Sequence, residues 1–192
     1  FLFIWKKKLM KLKTKLTKIG RDVKKNKGFI NPPIYKGSTI VFENYKAYLK
    51  SLNRPDDSDT YGINYNPTCK VFENAVSNLY GASDTIATPS GLTSIAISLL
   101  TFLKTNDHVL INDTLYNPTR HFCDTILKKY GIKVEYFNPL VNTIEFKKLL
   151  KKNTKLIYLE SPGTATFDII DVPKITKIAK KEKIITIFDN TW

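Results

Sequence analysis

Between Asn66 and Trp192 short apolar runs alternate with stretches of helical periodicity, and few folds accept that alternation. The runs are residues 84–88, 108–111, 132–137, 155–160 and 184–188, with helical patterns between them. A strand that returns parallel to its predecessor needs a long crossover, and a helix is the usual one. The spacing therefore predicts an α/β fold, a mainly parallel sheet with helices on both faces. The last stretch, KIITIFDNTW at 183–192, carries Ile184, Ile185, Ile187 and Phe188, broken only by Thr186. It reads as a strand buried on both faces. Its carboxyl end delivers Asp189 to the place where open α/β sheets hold ligands.

The helical patterns have recognisable ends. Pro67 and Thr68 open a helix with the stripe Val71, Phe72, Ala75, Val76 and Leu79, and Gly81 stops it. Residues 92–103 are apolar almost all round, which predicts a helix packed on two sides. Further helices are expected up to Tyr130 with Gly131 as the stop, around residues 145–151, and over residues 172–181. Residues 10–60 carry little periodicity. Asn31-Pro32-Pro33 forces an extended path, residues 38–42 (STIVF) could form a short strand, and residues 53–59 are polar turn formers. Without a core of its own, this segment is expected to be an arm lying on a partner subunit. The only methionine is Met10, so residues 1–9 are read as lying upstream of the natural start. The expected organisation is thus an upstream segment (1–9), an arm (10–60) and one α/β domain (61–192).

The 192 residues carry a formal net charge of +14, which raises the question of a nucleic-acid partner. The pattern argues against one. Arg21, Arg54 and Arg120 are the only arginines, whereas readers of bases and phosphates favour the guanidinium fork. The lysines are spread in pairs such as Lys147-Lys148 and Lys180-Lys181, as expected of solvated helix faces. Cys69 and Cys123 are two distant thiols inside helical patterns, which suits a reduced, cytoplasmic protein. His108 and His121 have no ligand at metal-binding spacing, so no metal is expected. The opening FLFIW is too short, and its lysines fall on the wrong side, for a signal peptide or a membrane span.

Three features fall at strand-to-helix crossings. Pro89-Ser90-Gly91-Leu92 could point backbone N–H groups at an anion, or could be a simple N-cap by Ser90. Tyr116, in the loop DTLYNPT, could stack on a planar ligand or move a proton, or could plug the sheet edge. Asp189 could pair with a cation, or make an Asx-turn, or cap a further helix. Together, a phosphate cup, a flat face and a carboxylate match what pyridoxal 5′-phosphate requires.

These residues carry a resemblance. Asn31-Pro32-Pro33 with Ser38-Thr39, YGINYNPT (61–68) and TPSGLTSIAISLLTFLKTNDHVL (88–110) appear in this order. NDTLYNPTRHFCD (112–124), LESPGT (159–164) and FDNTW (188–192) follow them. The chain resembles the Cys/Met-metabolism family of pyridoxal-phosphate enzymes over nearly its whole length after Met10. LESPGT followed by DNTW looks like the branch that cleaves the Cβ–S bond of cystathionine to homocysteine, pyruvate and ammonia, in methionine biosynthesis. The γ-synthase and γ-lyase branches differ at Thr164 and Trp192.

The resemblance implies an aspartate-aminotransferase-like large domain, incomplete here, in a homo-oligomer built as a tetramer from dimers. It implies an amino-acid substrate and the cofactor pyridoxal 5′-phosphate. Gly91 and Leu92 would offer N–H groups to the phosphate. Tyr116 would stack on the ring and assist proton transfer, and Asp189 would pair with the ring nitrogen. Tyr61 would reach a neighbouring subunit's phosphate. Two departures stand out. Ile63 occupies a position where the family commonly has arginine, so that cross-subunit contact is expected to be weaker or to be made by Tyr61 alone. The family's Schiff-base lysine lies in a Thr-Lys-Tyr segment beyond DNTW, so this chain alone is expected to be inactive.

Overall fold

The computed structural model describes residues 11–53, 60–62 and 66–192. Residues 1–10 with Met10, most of the polar turn at 53–59, and Ile63 lie outside the described residues. The chain divides into two compact units, Phe1–Ala87 and Thr88–Trp192.

In the first unit, three helices form: α1 (Leu12–Leu16), α2 (Tyr45–Leu52) and α3 (Pro67–Tyr80). The two short ones fall where little periodicity was visible. Asn44 caps α2 by accepting the Ala47 N–H at 2.9 Å, which fixes a helix too short to show a stripe. Asn66 caps α3, and Gly81 ends it in the left-handed region at φ 65°. The expected strand at 38–42 reduces to a single antiparallel bridge, Thr39 to Tyr61. The expected strand at 84–88 is also corrected. That stretch forms no strand and joins no ladder among the described residues. Side chains take its donors instead: Asp84 accepts the Thr85 N–H at 2.8 Å and Glu73 accepts the Ala87 N–H at 2.9 Å.

The second unit contains α4 (Gly91–Phe102), β1 (His108–Asn112), α5 (Asn117–Phe122), β2 (Lys133–Phe137), α6 (Thr143–Lys148), β3 (Thr154–Glu160), α7 (Val172–Lys181) and β4 (Ile185–Asp189). All three strand pairs are parallel, and the order across the sheet is β2-β1-β3-β4. Helix α5 continues as a π-helical turn over Cys123–Leu127, and Gly131 then breaks the helix at φ 76°.

Alternation along the strands builds two cores. Val109, Ile111, Leu156 and Tyr158 face α4 and the α5 segment, meeting Leu99, Leu103, Cys123 and Leu127. Leu110, Ile157 and Leu159 face the opposite way, against Phe146 of α6 and Ile175, Ile178 and Ala179 of α7. Each such side chain contributes about 2 kcal/mol by leaving water. Burial raises the Cys123 thiol to about 12, so it packs as a hydrophobe. Helices thus cover both faces of a parallel sheet, as expected.

Two burial expectations fail. β1 and β3 are the strands buried on both faces, whereas β4 is the sheet edge and alternates between half-buried and exposed residues. An apolar run does not reveal how many neighbours a strand has. Helix α4 packs on one side: Leu99 is buried, but Ile97, Leu100 and Phe102 are exposed.

At the other end of β1, His108 is 1 % exposed, with Nδ1 2.8 Å from the Thr154 hydroxyl and Nε2 3.4 Å from Glu135. Burial lowers its pKa below the ordinary 6.5, Lys151 pushes the same way, and Glu135 opposes both. The unfolded chain therefore binds more protons than the folded one just below pH 6.5. The stability gained from a neutral His108 is complete above that pH and is lost as pH falls below it. The urea midpoint is expected to drop between pH 7 and 5.5, and His108→Gln to remove most of that drop. An unchanged slope in the variant would contradict this assignment.

Candidate functional site

At the carboxyl ends of β1, β3 and β4 a cleft of about 480 Å³ opens beside the start of α4. Strand pleating explains what reaches it. Residues 185, 187 and 189 share one face of β4, and 156, 158 and 160 share the same face of β3. That face is the one α4 covers. Glu160 and Asp189 are register partners at the strand ends, so two carboxylates stand side by side.

The start of α4 supplies donors. Ser90 accepts the Thr93 N–H at 3.1 Å, while the first-turn N–H groups of Gly91 and Leu92 have no acceptor within the helix. A Cβ added to Gly91 would meet nothing within 4 Å, so the space over this turn is open. The N-cap reading and the anion-cup reading of this turn are therefore compatible.

Tyr116 follows β1 and precedes α5; buried Leu115 pins the loop, and Tyr116 is 46 % exposed on the cleft. Its N–H donates to Glu160 Oε2 at 2.8 Å. Glu160 is 5 % exposed, and its other oxygen accepts from the Thr164 hydroxyl. Its own N–H donates to Asn112 Oδ1 at 2.7 Å, and the Thr164 N–H donates to the Thr114 carbonyl at 2.7 Å. These bonds weld the loop after β1 to the loop after β3. The weld is tight enough to require glycine: a Cβ at Gly163 would stand 2.4 Å from Thr114 Oγ1 and 2.6 Å from its Cβ.

Asp189 has three donors. The Thr191 N–H, at 3.0 Å, and the Thr191 hydroxyl both reach Oδ1, and the Tyr158 hydroxyl reaches Oδ2 at 3.2 Å. The Asx-type turn considered for Asp189 is thus present, and the carboxylate still lines the cleft. Burial, reinforced by Asp189 and Glu160, lifts Tyr158 well above the ordinary tyrosine range, so it stays a donor.

Four of the five residues singled out from sequence therefore meet in one cleft: Gly91, Leu92, Tyr116 and Asp189. Tyr61 belongs to the Phe1–Ala87 unit, where it bridges to Thr39 and is 42 % exposed. Glu160, Thr164, Thr191 and Trp192 also line the cleft, although sequence reasoning gave them no role. Glu160 carried the same signal as Asp189, an acid closing an apolar run. Trp192 stands edge-on to Phe167, with ring centroids 5.8 Å apart.

None of the ten lining residues is cationic, in a chain with 31 lysines and arginines. Arg120, on α5, is held instead by Asp113 and by the Tyr136 ring 4.1 Å away. Among the described residues no group of acids, histidines and cysteines could hold a metal ion, and no helix is long and apolar enough to cross a membrane. The donor set fits pyridoxal phosphate: uncapped N–H groups for a phosphate, a ring face, and an acid for a protonated ring nitrogen.

The Glu160 weld is testable. Glu160→Ala strips the acceptor from two half-buried donors and is expected to cost about 1–2 kcal/mol. Gly163→Ala is expected to cost about 1–3 kcal/mol by overpacking. Both are read from urea denaturation, and unchanged midpoints would contradict the geometry.

The Cys/Met metabolism PLP-dependent enzyme family matches residues 13–192. A Saccharomyces cerevisiae protein provisionally named a cystathionine beta-lyase is 41 % identical over 93 % of this chain and 51 % of its own length. The Escherichia coli cystathionine beta-lyase MetC is 35 % identical over 95 % of this chain and 47 % of its own. An L-alanine/L-glutamate racemase of Wolbachia pipientis is 37 % identical over 95 % of this chain and 47 % of its own. A crystal structure from Campylobacter jejuni, provisionally named an O-acetylhomoserine (thiol)-lyase and carrying N′-pyridoxyl-lysine-5′-monophosphate, superposes with a TM-score of 0.83. It is 29 % identical and covers 93 % of this chain and 44 % of that one. The chain spans about half the length of the curated relatives it matches. On residues 13–192, it belongs to the Cys/Met metabolism PLP-dependent enzyme family.

Proposed function

We propose that the cleft is half of a pyridoxal 5′-phosphate site and that the reaction it serves is β-elimination from cystathionine or a related sulfur amino acid. The observation that carries this reading is the convergence of free helix N–H groups, Tyr116 and Asp189 on a cleft with no cation. When bound, pyridoxal phosphate supplies the electron sink that acidifies the substrate α-hydrogen and lets sulfur leave the β-carbon. Gly91 and Leu92 hold the phosphate through N–H groups strengthened by the α4 dipole. Asp189 holds the proton on the ring nitrogen. Tyr116 covers the ring face, and its hydroxyl moves a proton at the substrate.

Among the described residues no lysine lines the cleft, which supports the half-site reading, in which none of them is the amine that anchors the cofactor. The β-elimination reading is supported by LESPGT followed by DNTW, and by the yeast and Escherichia coli relatives. The arm of the first unit exposes Phe29, Ile30, Ile34, Val41 and Tyr45, which supports burial against a second copy. Tyr61 is proposed to reach that copy's phosphate, within a tetramer of two dimers. The two unpaired cysteines suit a reduced, cytoplasmic setting.

The 192-residue chain, given pyridoxal phosphate and cystathionine, is expected to release no pyruvate and to retain no cofactor on a specific lysine after borohydride reduction. A specific adduct would contradict the half-site reading. Coding sequence following Trp192 is expected to contain Thr-Lys-Tyr, and the polypeptide that includes it to release pyruvate and homocysteine. Release of 2-oxobutyrate would point to γ-cleavage instead, and formation of D-alanine or D-glutamate to racemisation, the activity named for the Wolbachia relative.

A further inference from the structure

The contacts of Asp189 distinguish its two oxygens. Oδ1 accepts both the N–H and the hydroxyl of Thr191, which occupies both of its lone pairs. Among the described residues Oδ2 accepts the Tyr158 hydroxyl alone, at 3.2 Å, which leaves one lone pair for a further donor. Tyr158 is fully buried within β3, two residues before Glu160 and on the face that also carries Ile187 and Asp189. It cannot swing away without vacating the core packed between α4 and the segment after α5.

We propose that Tyr158 is a positioning residue for Asp189, fixing the carboxylate from beneath so that Oδ2 is the oxygen left to pair with a protonated ring nitrogen. This rests on the cofactor reading of the cleft. The logic is preorganisation. A short carboxylate side chain at a sheet edge has a soft terminal torsion, and an unfixed acid loses part of its pairing energy in becoming ordered. Thr191 restrains one oxygen from an exposed turn, whereas Tyr158 restrains the other from the rigid interior. The Tyr158 hydroxyl donates to Asp189, and the phosphate donors are backbone N–H groups of another element, so its influence is directed to the nitrogen end of the ligand.

That directionality gives a test on the protein without turnover. Two non-covalent probes are titrated: pyridoxamine 5′-phosphate, and its analogue with a benzene ring in place of the pyridine. Tyr158→Phe keeps the core volume and removes only the hydroxyl. It is expected to weaken pyridoxamine phosphate about tenfold while leaving the benzene analogue unchanged. In an Asp189→Asn background, Tyr158→Phe is expected to have no further effect, since the carboxylate it positions is gone. Equal weakening of both probes, no weakening, or tighter binding of pyridoxamine phosphate would each overturn the role of Tyr158. So would an undiminished effect in the Asn background. Should neither probe bind the unaltered protein, the cofactor reading itself falls and takes this inference with it. Should Tyr158→Phe fail to fold, the Tyr158 ring resonances of the unaltered protein are expected to shift with pyridoxamine phosphate and not with the benzene analogue; equal shifts with both probes, or none with pyridoxamine phosphate, would overturn the proposal.

Discussion

A carboxylate buried at the end of a strand is tolerated only where donors meet it, and Glu160 meets that condition by drawing two loops onto itself. The Tyr116 N–H and the Thr164 hydroxyl arrive from different crossings, and Asn112 fixes the backbone of Glu160 from the neighbouring strand. The cleft depends on this arrangement. With Glu160 satisfied, the loop after β1 must turn where Tyr116 faces the opening, and Gly163 must lie against Thr114. The walls of the site are thus held by hydrogen bonds to one another.

The charge distribution follows a similar economy. A chain with formal charge +14 spends its lysines on solvent-facing surfaces and leaves a cleft bordered by two acids. On the proposed function, a phosphate entering there would meet backbone N–H groups and hydroxyls, and the acids would face the cationic end of the ligand.

Much of this was legible in the chain, for physical reasons. Parallel strands buried on both faces must be continuous apolar runs, so β1 and β3 announced themselves, and Gly81 and Gly131 marked helix ends by their left-handed backbone. β4 was placed correctly but its burial was not, because four apolar residues in a run look alike at a sheet centre and at its edge. Residues 84–88 have β-branched composition, yet Asp84 and Glu73 take their N–H groups, a choice that no local pattern encodes. Tyr116 and Asp189 were visible because ligands sit beyond the carboxyl ends of strands, and Gly91 and Leu92 because small residues open a helix there, although the strand expected before them does not form. Tyr158 was not, since a tyrosine inside an apolar run reads as packing until its hydroxyl is seen to reach Asp189.

The central claim is that the first turn of α4, Tyr116 and Asp189 receive one ligand. The most direct measurement is amide NMR during titration with pyridoxamine 5′-phosphate, which lacks the aldehyde that would react with surface lysines. The account predicts the largest shifts at Gly91 and Leu92, with further shifts at Tyr116, Glu160 and Asp189. Shifts confined to the lysine-bearing helices α6 and α7, with the start of α4 unmoved, would contradict it.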